Sequence, residues 1–164
     1  MRFAINGFGR VGRTLLRVYA SREDARAKLT LAAINEIADA DTVVHLARYD
    51  SNYGRYPGAI ARAGSSLVID QRSVPLSHVA EVARLPWQQH QIDLVLECTG
   101  AFTDRITAEQ HLHAGASRVL FSQPAESDVD ETIVYGVNSD SLSAGMTVVS
   151  AASCTTNAVV PVLA

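Results

Sequence analysis

Short apolar runs alternate along the chain with stretches whose apolar positions fall three and four apart. Arg2-Phe3-Ala4-Ile5-Asn6 is the first run, a strand that ends at glycines. From Arg10 to about Arg22, Val11, Leu15, Val18 and Tyr19 repeat at the spacing of one helix face. Leu29–Ile34 reads as a second buried strand, and Asp39–Ala47 as a helix with Asp39 or Asp41 as its cap. A strand, crossover helix and strand of this length imply a parallel sheet with a right-handed connection. Between Tyr49 and Leu85 the pattern changes: Gly54, Pro57, Gly58, Gly64 and Pro75 break brief β-like pieces such as Ser66–Ile69, as in antiparallel hairpins appended to the sheet. Asp93–Glu97 resumes the buried strands, and Thr107–Ala114 reads as a helix capped by Thr107 and stopped by Gly115. Arg118–Ser122, Thr132–Val137 and Thr147–Ser150 supply further strands, and Thr155–Ala164 looks like the opening of a helix. The predicted class is α/β: a doubly wound, mostly parallel sheet with a small hairpin insertion.

Composition excludes more than it names. The 164 residues are 48% apolar and 19% charged, the balance of a soluble globular fold. A net charge of −3 gives no basic surface for nucleic acid or anionic membrane. No apolar run nears the roughly 20 residues of a membrane span, and the opening residues lack a signal-peptide layout. Cys98 and Cys154 are too few for a disulfide framework and lack CxxC spacing. A cytoplasmic protein is expected.

Three features carry chemistry. Gly7-Phe8-Gly9-Arg10-Val11-Gly12 is a GxGxxG pattern that follows a strand and opens a helix, the context of a Rossmann dinucleotide fingerprint. Gly7 would allow the tight turn, Gly9 the approach of backbone to a pyrophosphate, and Gly12 close packing of helix on strand; the helix amides would then face the negative charge. Glu36 ends the second strand, where such folds place an acid that accepts from the adenosine ribose hydroxyls. A carboxylate there repels a 2′-phosphate and favours NAD over NADP. Finally, Ser153-Cys154-Thr155 sets a cysteine between an apolar strand and a helix start, where dipole and free amides favour a nucleophilic thiolate. From the residues alone, a buried structural cysteine is the simpler alternative.

Together these stretches resemble a family. Asn6 to Arg13, Ala33-Ile34-Asn35-Glu36, Tyr49-Asp50-Ser51, Glu97-Cys98-Thr99-Gly100, Tyr135-Gly136-Val137-Asn138 and Ser153-Cys154-Thr155-Thr156-Asn157 stand in the order and spacing of phosphorylating glyceraldehyde-3-phosphate dehydrogenases and the related erythrose-4-phosphate dehydrogenases. Ala33–Asp39, Leu85-Pro86-Trp87, Phe121–Pro124 and Val134–Asn138 look more like the erythrose branch. The resemblance implies that Cys154 attacks a phosphorylated aldehyde, with Ser153 and Thr155 beside it binding substrate or phosphate. It implies NAD contacts from Phe8, Gly9, Arg10, Val11 and Glu36, adenine-side contacts from Thr99, Gly100 and Phe102, and a nicotinamide neighbour in Ser122. It also implies a homotetramer, with the activating histidine and the phosphate-binding arginine and threonine in a second domain. On this reading residues 1–150 form the dinucleotide-binding domain, and 151–164 carry the nucleophile motif and the first turns of the catalytic domain. The alternatives are glyceraldehyde 3-phosphate as substrate, and a nucleotide-binding module without chemistry.

The chain departs from the family pattern at Ala151, where asparagine is usual, so the loop that positions Cys154 is expected to be looser. Tyr53 and Gln123 stand where histidine is common, and Ala158 where many members carry a second cysteine. The other candidates read blandly. His111 and His113 point to different helix faces, so no metal site is expected. Cys98 packs beside the cleft, Asp128, Asp130 and Glu131 form a solvated loop, and Trp87 belongs to the core or to a cluster beneath the hairpins.

Overall fold

The computed structural model describes residues 1–164. Its centre is β1 (Arg2–Asn6), whose Phe3 to Asn6 are all buried, as expected of a strand covered on both faces. The chain continues through α1 (Arg10–Ser21) and α2 (Glu23–Lys28) to β2 (Thr30–Asn35), then α3 (Ala40–Arg48). A small ribbon, β3 (Tyr49–Asp50) with β4 (Gly54–Arg55), precedes the meander β5 (Ile60–Ala63), β6 (Ser66–Ile69) and β7 (Arg72–Ser77). The second half runs through α4 (Trp87–His90), β8 (Leu94–Glu97), α5 (Arg105–His113), β9 (Arg118–Phe121), β10 (Glu131–Thr132), β11 (Val148–Ser150) and α6 (Cys154–Leu163).

One nine-stranded sheet has the order β10-β11-β9-β8-β1-β2-β7-β6-β5, parallel except at the β5–β6 and β6–β7 pairs. The hairpin insertion therefore does not stand apart: β7 joins β2 in parallel and makes the meander an extension of the main sheet. No helix is long and apolar enough to cross a membrane. On one face Phe3, Ile5, Leu31 and Ile34 pack with Leu16 of α1 and Val43 of α3. On the other, Ala4, Ala32 and Ala33 pack with Trp87, Ile92 and Val95. Two consecutive alanines share that face because the register with β1 slips between Phe3 and Ala4, a bulge that absorbs one residue of β2.

Three elements differ from expectation, and at a fourth, α3, the structure chooses between the two expected caps. α2 was not foreseen, because Glu23–Lys28 buries no residue and has no apolar period; acids in its first turn and bases in its last complement the helix dipole instead. α3 is capped by Asp39, whose Oδ1 accepts from the N–H groups of Asp41 and Thr42. α5 starts at Arg105, not Thr107: Asp104 is the cap and accepts from the Thr107 N–H at 2.8 Å, while the Thr107 hydroxyl donates back to it. The run Thr132–Val137 is a strand only at its first residue. Val134 N–H donates to Asn138 Oδ1 at 2.7 Å, and the Val137 and Asn138 N–H groups return to the Val134 carbonyl, so the segment turns and leaves Tyr135 exposed.

Asp130 is not simply solvated either. Its carboxylate accepts from the Thr147 and Val148 N–H groups at 2.7 and 2.9 Å and pairs with Arg105 at 2.8 Å, tying β11 to the start of α5. Backbone donation from Val148, then the Arg105 guanidinium, pulls this carboxyl down to about 2. The folded state thus holds the ionised form more strongly than the unfolded chain does. That contribution is present above about pH 4 and fades as pH falls towards 2. Asp130→Asn should therefore cost about 1–2 kcal/mol at pH 7 and almost nothing at pH 2, read from urea midpoints at both pH values.

Candidate functional site

Because β1, β2, β7, β8, β9 and β11 are parallel, their carboxyl ends lie on one edge of the sheet. β1 sits between β2 and β8, so the chain changes winding direction there, and a crevice opens at such a switch point. A cavity of 260 Å³ occupies it. Asn6, Gly7 and Gly9 line it from the loop after β1, and Asn35, Glu36 and Ile37 from the end of β2. Val79, Ala80, Val82 and Leu85 come from the segment after β7, and Cys98, Thr99, Ala101 and Phe102 from the loop after β8.

The three glycines have different surroundings. Gly7 has φ +86°, and a Cβ there would lie 2.5 Å from the Thr99 nitrogen, so the two loops touch through their backbones. A Cβ at Gly12 would lie 2.3 Å from the Gly7 carbonyl oxygen and 3.0 Å from Ile5 Cγ2. At Gly9 it would meet nothing within 4 Å. Gly9 also caps α1, which has no side-chain cap and no acid in its first turn. The first N–H groups of α1 are thus open to an anion, beside a glycine whose missing side chain leaves space.

Glu36 holds this loop in place. Its Oε2 accepts from the Phe8 N–H at 2.7 Å and its Oε1 from the Ala38 N–H at 3.1 Å. Each oxygen keeps a lone pair for hydroxyl donors in the cavity. Ile37, Val79, Val82, Leu85 and Phe102 give the same cavity apolar walls. An anion-binding helix end, a carboxylate and an apolar slot match the pyrophosphate, ribose and adenine of a dinucleotide.

Of the residues singled out from sequence, the structure brings Gly7, Gly9, Glu36, Thr99 and Phe102 into this one cavity. Phe8 belongs to the core and offers only its backbone to the loop, while Arg10 and Val11 are exposed on the first turn of α1. Gly12 packs behind the loop, and Gly100 turns at φ +73° with open space around it. Ser122 does not itself line the cavity, and its hydroxyl donates to Gln123 Oε1 at 2.9 Å; the Gln123 amide in turn donates to the Phe102 carbonyl at 2.8 Å. The apolar wall after β7 was missed, because its place depends on β7 pairing with β2, which no local pattern discloses.

Cys98 is buried, and that burial pushes its thiol up to about 12. Cys154 is exposed as the first residue of α6, so the buried structural alternative for it falls. Ser153 caps α6, its Oγ accepting from the Thr156 N–H at 2.8 Å and bonding the Thr155 hydroxyl at 2.8 Å. The turn before it is tight: Ala152 sits at φ +59°, a left-handed backbone that disfavours a side chain. The loop is nonetheless held without the usual asparagine at 151. Asn157 Nδ2 donates to the Ala151 carbonyl at 2.7 Å, and the Ala151 N–H donates to the Phe121 carbonyl at 2.9 Å.

The family model for the NAD-binding domain of glyceraldehyde 3-phosphate dehydrogenase matches residues 1–105, which contain every residue lining the cavity. The match and the dinucleotide-shaped crevice at the sheet's switch point agree: the chain belongs to the glyceraldehyde 3-phosphate dehydrogenase family, an oxidoreductase family, and carries its NAD-binding domain.

Proposed function

We propose that this chain is the NAD-binding part of a thiol-dependent dehydrogenase of a phosphorylated aldose, with erythrose 4-phosphate as substrate, and that Cys154 is its nucleophile. The observation that carries the reading is the placement of Cys154. It is exposed, follows the strained turn after β11, and so lies on the same strand-end edge as the NAD cavity. The Cys154 thiolate would add to the aldehyde carbon to give a thiohemiacetal, whose oxidation leaves a thioester. NAD, when bound, supplies the two-electron acceptor for that oxidation. Water would then cleave the thioester to the acid and return the thiol. In the glyceraldehyde 3-phosphate alternative, inorganic phosphate cleaves it to an acyl phosphate. Ser153 and Thr155 present hydroxyls beside the nucleophile. The erythrose branch is supported by Ala33–Asp39, Leu85–Trp87, Phe121–Pro124 and Val134–Asn138. As in the family, the histidine base and the phosphate-binding side chains would come from a second domain.

The test is NADH formation from each aldehyde, with and without inorganic phosphate, by the product of the whole gene. Faster turnover of erythrose 4-phosphate that needs no phosphate is expected; phosphate-dependent turnover of glyceraldehyde 3-phosphate alone would overturn the substrate. Iodoacetamide at pH 7 should label Cys154 and leave Cys98 untouched, with activity lost in step. Full activity after Cys154 is labelled would remove the covalent mechanism.

A further inference from the structure

Glu97 is the last residue of β8 and is wholly buried, yet no lysine or arginine pairs with it. Four donors converge on its carboxylate instead. Oε2 accepts from Asn6 Nδ2 at 2.6 Å and faces His111 Nε2 at 3.1 Å. Oε1 accepts from the Thr99 N–H at 2.8 Å and from the Thr99 hydroxyl. His111 is buried too, and its role is fixed from behind. Trp87 Nε1, which can only donate, lies 2.9 Å from His111 Nδ1. The ring proton therefore sits on Nε2 and points at Glu97. Every partner of the carboxylate is a donor, so the site demands an acceptor on both oxygens.

These bonds join the two loops of the NAD cavity. Asn6 ends β1 and Thr99 follows β8; both line the cavity, and Glu97 sits between them out of reach of a ligand. The Thr99 hydroxyl also receives the Ala101 N–H at 3.2 Å, so the carboxylate sets the course of the loop as far as Ala101. On the other side Asn6 Oδ1 accepts from Asn35 Nδ2 at 2.8 Å, which carries the connection to the end of β2, one residue before Glu36. Asn35, Asn6 and Glu97 are register partners across three neighbouring strands.

We propose that Glu97 is a positioning residue for NAD: backed by His111 and Trp87, its carboxylate fixes the Thr99 loop against the glycine loop and so sets the shape of the cavity. The inference rests on the reading that this cavity is where NAD binds. Glu97→Gln keeps size and shape but turns an N–H₂ towards donors, leaving at least one pair opposed. In the full chain, titration calorimetry well below each melting temperature should show NAD binding weakened about tenfold or more. His111→Leu should weaken it similarly. His111→Gln, which restores an N–H towards Glu97 and an acceptor for Trp87, should bind NAD at least about fivefold tighter than His111→Leu. A purely structural role would lower melting temperatures in all three without this recovery. Gly9→Val, in the cavity itself, separates the two readings. If it abolishes binding while Glu97→Gln and His111→Leu stay within twofold of the unaltered chain, the positioning role is overturned and the cavity stands. If Gly9→Val binds NAD normally, the cavity assignment fails first. Should Glu97→Gln not fold, the His111 pair decides alone.

Discussion

Gly9→Val should abolish measurable NAD binding while leaving the domain folded, whereas Gly12→Val should unfold it. The two glycines stand three residues apart in one motif, and the structure assigns them opposite risks. At Gly9 an added Cβ meets no atom beyond its chain neighbours within 4 Å, and the backbone is extended at φ −69°. The added methyls would fill the space in front of the open N–H groups of α1. An anion cannot share that space, so the dissociation constant for NAD should rise by roughly 100-fold or more. Valine is a poorer helix cap than glycine, a loss of about 1 kcal/mol, or some 2–4 °C for a domain of this size. At Gly12 a Cβ would sit 2.3 Å from the Gly7 carbonyl oxygen, beside the buried Ile5. Backbone on one side and core on the other leave nothing to yield, and more than about 4 kcal/mol is expected. Circular dichroism melts and titration calorimetry on both variants check the pair. Binding by Gly9→Val within threefold of the unaltered chain would place the pyrophosphate elsewhere.

What was legible in the sequence was what is local in it. The glycine motif, the strand before it and Glu36 lie within one β-α-β unit, so their spacing alone brought them to one crevice. β1 and β8 were legible because strands packed against on both faces are unbroken apolar runs. Caps were less so: Asp104 and Thr107 bond each other, and either satisfies the pattern for a helix start. The apolar run at Thr132–Val137 was misleading, because Asn138 bonds back to Val134 and Thr132 and closes a turn that hydropathy does not register. The apolar wall of the cavity and the support of Glu97 were not legible at all. Trp87, Glu97 and His111 belong to a helix, a strand and another helix, and each alone reads as ordinary core or surface. Only the sheet's topology makes them neighbours.

Trp87→Ala should be the most damaging single change in the hydrophobic interior. The indole is wholly buried among Ala4, Ala32, Val82, Leu85, Ile92 and Val95. Its small neighbours are held by the strands and cannot collapse into the space, so the removed contacts and the cavity together cost about 3–5 kcal/mol. A second loss is polar. With the indole N–H gone, His111 Nδ1 is a buried acceptor with no donor, worth a further 1–3 kcal/mol or so. The sum is a large part of the roughly 5–15 kcal/mol that holds a typical domain together. Trp87→Phe separates the two losses. It keeps most of the ring's volume but also orphans Nδ1, so it should cost about 2–3 kcal/mol. The difference between the variants then measures packing, and the cost of the phenylalanine chiefly measures the hydrogen bond. Because Trp87 is the one tryptophan in the chain, its fluorescence vanishes with it, and urea unfolding must be followed by far-ultraviolet circular dichroism. Equal midpoints for Trp87→Phe and the unaltered chain would mean that the indole–imidazole bond contributes nothing, and that the proton on His111 is free to sit on either nitrogen.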